Sequence, residues 1–171
     1  VYEYIPSDSD LKEIDDFKHD LEIQLIGKTD ISVIEAIDAA GLNKYLIKTA
    51  YLPHNEAVRR QQTSQVLLLL INRSENAKGI LTGKFFEYLA AKRPIIAIGP
   101  TDGDVAEILH ETKAGVMIDF DDVHKTKDTI KDFYIKYKNK ELVVADASIN
   151  KFSRKSLTKE LAELIKQQIV N

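Results

Sequence analysis

Apolar residues recur along this chain in a fixed order: a short run, an amphipathic stretch of helical period, then another short run. Glu22–Gly27 (EIQLIG) predicts a strand ending on glycine. Asp30–Gly41 places Val33, Ile34, Ile37 and Ala40 on one helical face, with Asp30 as N-cap and Gly41 as the stop. Leu46–Leu52 predicts a second strand, less apolar because of Lys48 and Thr49 and ended by Pro53. Asn55–Ser64 predicts a short polar helix. Gln65–Ile71 (QVLLLLI) is the clearest strand, apolar on both faces as suits the centre of a parallel sheet. Beyond a loop at Asn72–Leu81, Thr82–Lys92 predicts a helix broken by Arg93-Pro94, and Pro94–Ile98 a buried strand closed by Gly99-Pro100. Gly103–Lys113 (helix) and Gly115–Asp119 (strand) follow. Asp122–Lys138 repeats Val123, Ile130, Phe133, Tyr134 and Tyr137 at helical spacing. Ser153–Ile169 carries Leu157, Leu161, Leu164, Ile165 and Ile169 along one face. At the start, Val1–Pro6 reads as a fragment of strand and Ser7–Asp20 as an acidic, helix-like stretch. A clear opening strand is missing or very short.

Strands alternating with helices over short connections predict an α/β fold: a Rossmann-like, doubly wound parallel sheet of about five strands, flanked by helices, in a single domain over 1–171. Ligands of such sheets sit beyond the carboxyl ends of the strands. The segments to watch are therefore Gly27–Asp30, Pro53–Glu56, Asn72–Lys84, Gly99–Asp104 and Asp119–Asp122. A net charge of −3 gives no reason to expect a nucleic-acid partner. With no cysteine, disulfides, thiolate metal sites and cysteine nucleophiles are excluded. The same absence fits a reducing compartment, so a cytoplasmic location is expected. No apolar run approaches the ~20 residues that span a bilayer, and no signal peptide is visible. The first residue is Val1, which reads as a segment of a longer protein.

Asn76–Pro94 (NAKGILTGKFFEYLAAKRP) holds the candidate chemistry. Gly79 and Gly83 let backbone approach a ligand. Amides near Thr82, Gly83 and Lys84 open a helix whose dipole favours an anion, and Lys78 and Lys84 add positive charge. Glu87, one turn on, can accept from sugar hydroxyls. Amides for phosphates and a carboxylate for a ribose suit a nucleotide diphosphate. The same spacing also fits a glycine-rich turn ahead of a core helix, with Glu87 on a solvated face.

The stretch GKFFEYLAAKRPIIAIGP resembles the C-terminal, donor-nucleotide-binding domain of GT-B-fold retaining glycosyltransferases of the group 1, family-four set. LIGK at Leu25–Lys28, YLPHNEAV at Tyr51–Val58, GVMIDFDD at Gly115–Asp122 and FSRKSLTKELAELI at Phe152–Ile165 extend the resemblance from about Ile23 to the end. It implies a transferase moving a sugar from a nucleotide diphosphate sugar to an acceptor held by an N-terminal domain across a cleft. The isolated segment is then expected to be inactive. The full-length enzyme would need no metal or other cofactor and could associate peripherally with a membrane. The family's ribose-binding glutamate falls at Glu87 and its diphosphate amides at Gly83 and Lys84. Its other glutamate falls at Gly79, which leaves Lys78 or Asn76 as candidates for that place. No catalytic residue is assigned within this chain, and the donor base, sugar, acceptor and oligomeric state are not specified.

Further candidates are weaker. Lys28 after Gly27 could reach a phosphate or be an ordinary turn lysine. His54 could edge a base, though a surface residue at a helix start is the simpler reading. In the resembled family the Asp102-Gly103-Asp104 loop lies near the donor sugar, which makes Gly103 and Asp104 candidate contacts; as a metal pair the loop is better explained by a turn and a capped helix. Gly79–Lys84 (GILTGK) lacks the spacing of a P-loop, and no GxGxxG follows a strand. Two other readings stay open: half of a nucleotide-sugar epimerase, and a non-catalytic flavodoxin-like interaction domain. Against a receiver domain, QVLLLLI ends in Asn72-Arg73 and not in an aspartate.

Overall fold

The structure is a computed structural model that describes residues 16–144 and 149–169. The strand expected at Val1–Pro6 and most of the stretch at Ser7–Asp20 lie outside the described residues. The elements are α1 (Phe17–Asp20), β1 (Ile23–Ile26), α2 (Ile31–Ala39), β2 (Leu46–Thr49), α3 (His54–Thr63), β3 (Leu67–Leu70), α4 (Gly83–Ala91), β4 (Ile95–Ile98), α5 (Asp104–Thr112), β5 (Gly115–Ile118), α6 (Val123–Lys138) and α7 (Arg154–Ile169). Short 3-10 turns occupy Asn43–Tyr45, Ala77–Gly79 and Ile149–Phe152.

The expected alternation of strand and helix is present, and the chain is α/β. The expectation of one sheet of about five strands is corrected. Among the described residues the strands form two sheets, β1-β2 and β3-β4-β5. The chain correspondingly divides into two compact units, Val1–Ser64 with Ile118–Leu142, and Gln65–Met117 with Val143–Asn171.

In the first unit β1 and β2 pair in parallel, Ile23 opposite Leu46 and Ile26 opposite Thr49. Helix α2 starts where Asp30 caps it by accepting from the Ser32 amide at 2.9 Å. It stops in a Schellman arrangement: Gly41 N–H donates to the Asp38 carbonyl and Leu42 N–H to the Ile37 carbonyl. Gly41 has φ +71°, the left-handed conformation that glycine adopts without strain. Phe17, Ile37, Leu42 and Tyr134 form the buried centre, with Phe17 and Tyr134 edge to face at 4.9 Å. The Tyr134 hydroxyl donates to Asp20 Oδ2 at 2.7 Å, and Lys138 Nζ donates to the same oxygen at 2.9 Å. These bonds, that of Tyr134 first, hold the Asp20 carboxyl below its ordinary value of 3.8. Helix α6 ends in the same arrangement as α2, but with Lys140 at φ +61° where α2 has glycine.

In the second unit β3 and β4 pair in parallel, Leu67 opposite Ile95, and β5 lies on the other side of β4. Strand β4 is the middle strand, and Ile95, Ile96 and Ala97 are all buried. Helices α4 and α5 cover one face through Phe85, Leu89, Val105 and Leu109, which meet Leu67, Leu69, Ile95 and Ala97. The central position expected for QVLLLLI is therefore corrected. Strand β3 pairs with β4 along one edge, and while Leu67 and Leu69 enter the core, Leu68 is 56% exposed. Gly115 is required by close approach, because a Cβ there would lie 2.0 Å from the Ile95 carbonyl oxygen. Helix α7 carries its predicted apolar row, with Leu157, Leu161, Leu164 and Ile165 exposed. Among the described residues no helix is long and apolar enough to cross a membrane.

Candidate functional site

The second unit carries most of the predicted site residues, on the loops that follow β3 and β4. Helix α4 begins as expected. Thr82 takes an extended conformation (φ −95°, ψ 154°), and its hydroxyl accepts from the Phe85 amide at 3.3 Å. The amides of Gly83 and Lys84 come ahead of the Phe85 amide, which donates to the Thr82 carbonyl at 3.1 Å. Buried Phe85 and Leu89 fix the helix against the sheet, and Gly83, Lys84 and Glu87 are exposed. The Glu87 charge, after burial as the larger cause, helps to raise the neighbouring Tyr88 phenol above its ordinary value.

Two helix ends follow strands in this unit, and their charges differ. The first turn of α5 contains Asp104 and Glu107, which already complement its dipole. The first turn of α4 contains no acidic residue and has Lys84 instead. Of the two, the start of α4 carries the more positive charge.

The loop before α4 is fastened to the loop before α5. Lys78, in the 3-10 turn Ala77–Gly79, ion-pairs through Nζ with Asp102 Oδ2 at 2.6 Å, both side chains being about two-thirds exposed (66% and 64%). That hydrogen bond holds the Asp102 carboxyl below its ordinary range. Gly103, the N-cap of α5, is buried against the same turn: a Cβ on it would lie 2.7 Å from the Lys78 carbonyl oxygen. Lys78 and Gly103 are thus neighbours, and Asp104 follows as the exposed first residue of α5. Asp102 is the partner that the sequence reading missed as a site residue. The signal was present in its place, an aspartate in the turn that joins a buried strand to the next helix.

The chain has seven glycines, and five have a reason within the protein. Gly27 and Gly41 have positive φ. Gly103 and Gly115 leave no room for a Cβ, and at Gly99 one would crowd the Ile71 side chain. Gly79 and Gly83 have neither reason, for a Cβ on either would meet nothing within 4 Å.

The remaining predicted residues belong to the first unit. Gly27 (φ +93°) continues the β1–β2 ladder by donating to the Thr49 carbonyl at 3.0 Å, and exposed Lys28 follows it. His54 is the exposed first residue of α3, beyond β2. All three lie at the carboxyl ends of their strands. Among the described residues no group of three or more His, Asp or Glu side chains is placed to hold a metal ion. No protein-family model matches the chain, and no curated protein matches it.

Proposed function

We propose that this chain is the donor-binding domain of a GT-B-like glycosyltransferase, and that the start of α4 receives the diphosphate of a nucleotide sugar. The observation that carries the reading is the pair of glycines with no role in the protein's own packing. Gly83 opens α4, and Gly79 lies in the turn before it. Glycine costs up to about 1 kcal/mol relative to alanine at a helical position. Where neither packing nor backbone conformation requires it, a bare approach to the main chain is the remaining physical use. Beside that approach are helix-end amides, a dipole uncompensated by any acid, and Lys84. Glu87, one turn along, is the acceptor for ribose hydroxyls. The sugar would reach toward Gly103 and Asp104. The reacting carbon is assigned to residues of an acceptor domain.

The test is calorimetric titration of the 171-residue chain with UDP, GDP and their sugars. Gly79→Ala and Gly83→Ala should fold as the parent does, since a methyl group has room at both positions, yet bind at least about tenfold more weakly through lost access to the amides. Glu87→Ala should weaken nucleosides and nucleotides but not inorganic diphosphate. Unchanged affinity in both glycine variants would sink the reading.

A further inference from the structure

We infer that Asp102 is an internal competitor for the anion site: its carboxylate holds Lys78 and gives it up when a diphosphate arrives. This rests on the reading that the start of α4 binds a diphosphate, and concerns how that site is regulated.

Two features of the contact support it. The first is its exposure. Lys78 and Asp102 are about two-thirds exposed and 2.6 Å apart. An ion pair so placed biases the lysine by a factor of only about two to five, because water and salt screen it. A diphosphate, with more charge and more acceptor oxygens than a carboxylate, outbids it for the ammonium group. The second feature is that the ion pair is not the sole contact between the two loops. Gly103 also packs on the Lys78 main chain. The ammonium group can therefore leave Asp102 while the turn at Ala77–Gly79 stays in place. A side chain that is exposed, lightly held and carried on a fixed backbone is suited to exchange between partners.

The sign of the expected effect separates competition from simple positioning. If Asp102 positioned Lys78 for the ligand, Asp102→Asn would weaken binding. If it competes, Asp102→Asn tightens binding, by about two- to fivefold at low salt. The experiment is a double-mutant cycle on the whole chain, titrating inorganic diphosphate and UDP or GDP into the parent, Asp102→Asn, Lys78→Ala and the double variant. Lys78→Ala should weaken binding, and Asp102→Asn should have no further effect in its presence. Weaker or unchanged binding by Asp102→Asn overturns the inference. So does tightening that persists without Lys78, since this would report the general loss of a negative charge. If the parent and Gly83→Ala bind diphosphate differently, as the site requires, while Asp102→Asn equals the parent, only the competition fails. If the parent binds none of these anions, the site and the competition fail together.

Discussion

The two sheets of this protein are built from similar strands and buried very differently. In β1, half-buried Ile23 and Leu25 alternate with exposed Gln24 and Ile26. In β4, Ile95, Ile96 and Ala97 are all covered. Composition alone does not explain this, since β3 is four leucines and still alternates between buried and exposed. Position does. Strand β4, with a neighbour on each side, is covered on both faces from Ile95 to Ala97, and β3, which pairs along one edge, is covered on the face its helices reach. Ala97 shows what the middle place requires: a small residue, fully buried, over which flanking elements can close.

That contrast is open to attack by substitution, and the largest effect is expected at Gly115. Gly115→Ala would drive a methyl group into the Ile95 carbonyl and part β4 from β5, costing at least about 3 kcal/mol. Urea denaturation would measure it, and a loss below about 1 kcal/mol would mean that the sheet yields more easily than its packing implies. Next come the two cores. Phe85→Ala should cost about 3–5 kcal/mol, because the ring is wholly enclosed. Ile37→Ala, in a cluster ringed by half-buried neighbours that can close in, should fall near 2 kcal/mol. Equal losses would remove the distinction between the cores. Smaller, and opposite in sign, is Lys140→Gly. It should stabilise by about 1 kcal/mol, since the same helix ending is made without left-handed strain by Gly41 in α2.

The smallest effect expected is a pH dependence confined to the first unit. Asp20 is held below its ordinary value in the folded protein, so its contribution is complete above about pH 3.8 and is lost as pH falls through the lower folded value. Asp20→Asn should flatten the acid limb of the stability curve. Tyr134→Phe should move the Asp20 carboxyl back up, a shift visible by carbon NMR. An unmoved carboxyl resonance would show that the Tyr134 bond is not formed in solution.

Much of the fold was legible in the sequence because its signals are local. Asp30 and Gly41 bracket α2, Thr82 opens α4, and Pro53 precedes α3 where the polar spacing placed a helix. The division into two sheets was not legible. Which strand edges pair is a property of chain tracing, and four leucines in a row look the same in the middle of a sheet and at its side. The candidate site was legible as a segment, Asn76–Pro94, because glycine, lysine and a capped helix are read in one window. The Lys78–Asp102 pair was not, since it spans 24 residues and depends on two loops meeting.

The bond between Tyr134 and Asp20 joins residues 114 positions apart, and the ring of Phe17 rests on the same tyrosine. The stretch Gln65–Met117, which carries most of the other unit, lies between them in sequence. During vectorial synthesis Phe17 therefore emerges long before the side chain that covers it, and the intervening stretch is already out when that partner arrives. The first unit closes over Phe17 only after the whole of Gln65–Met117 has been made, although its own residues start earlier.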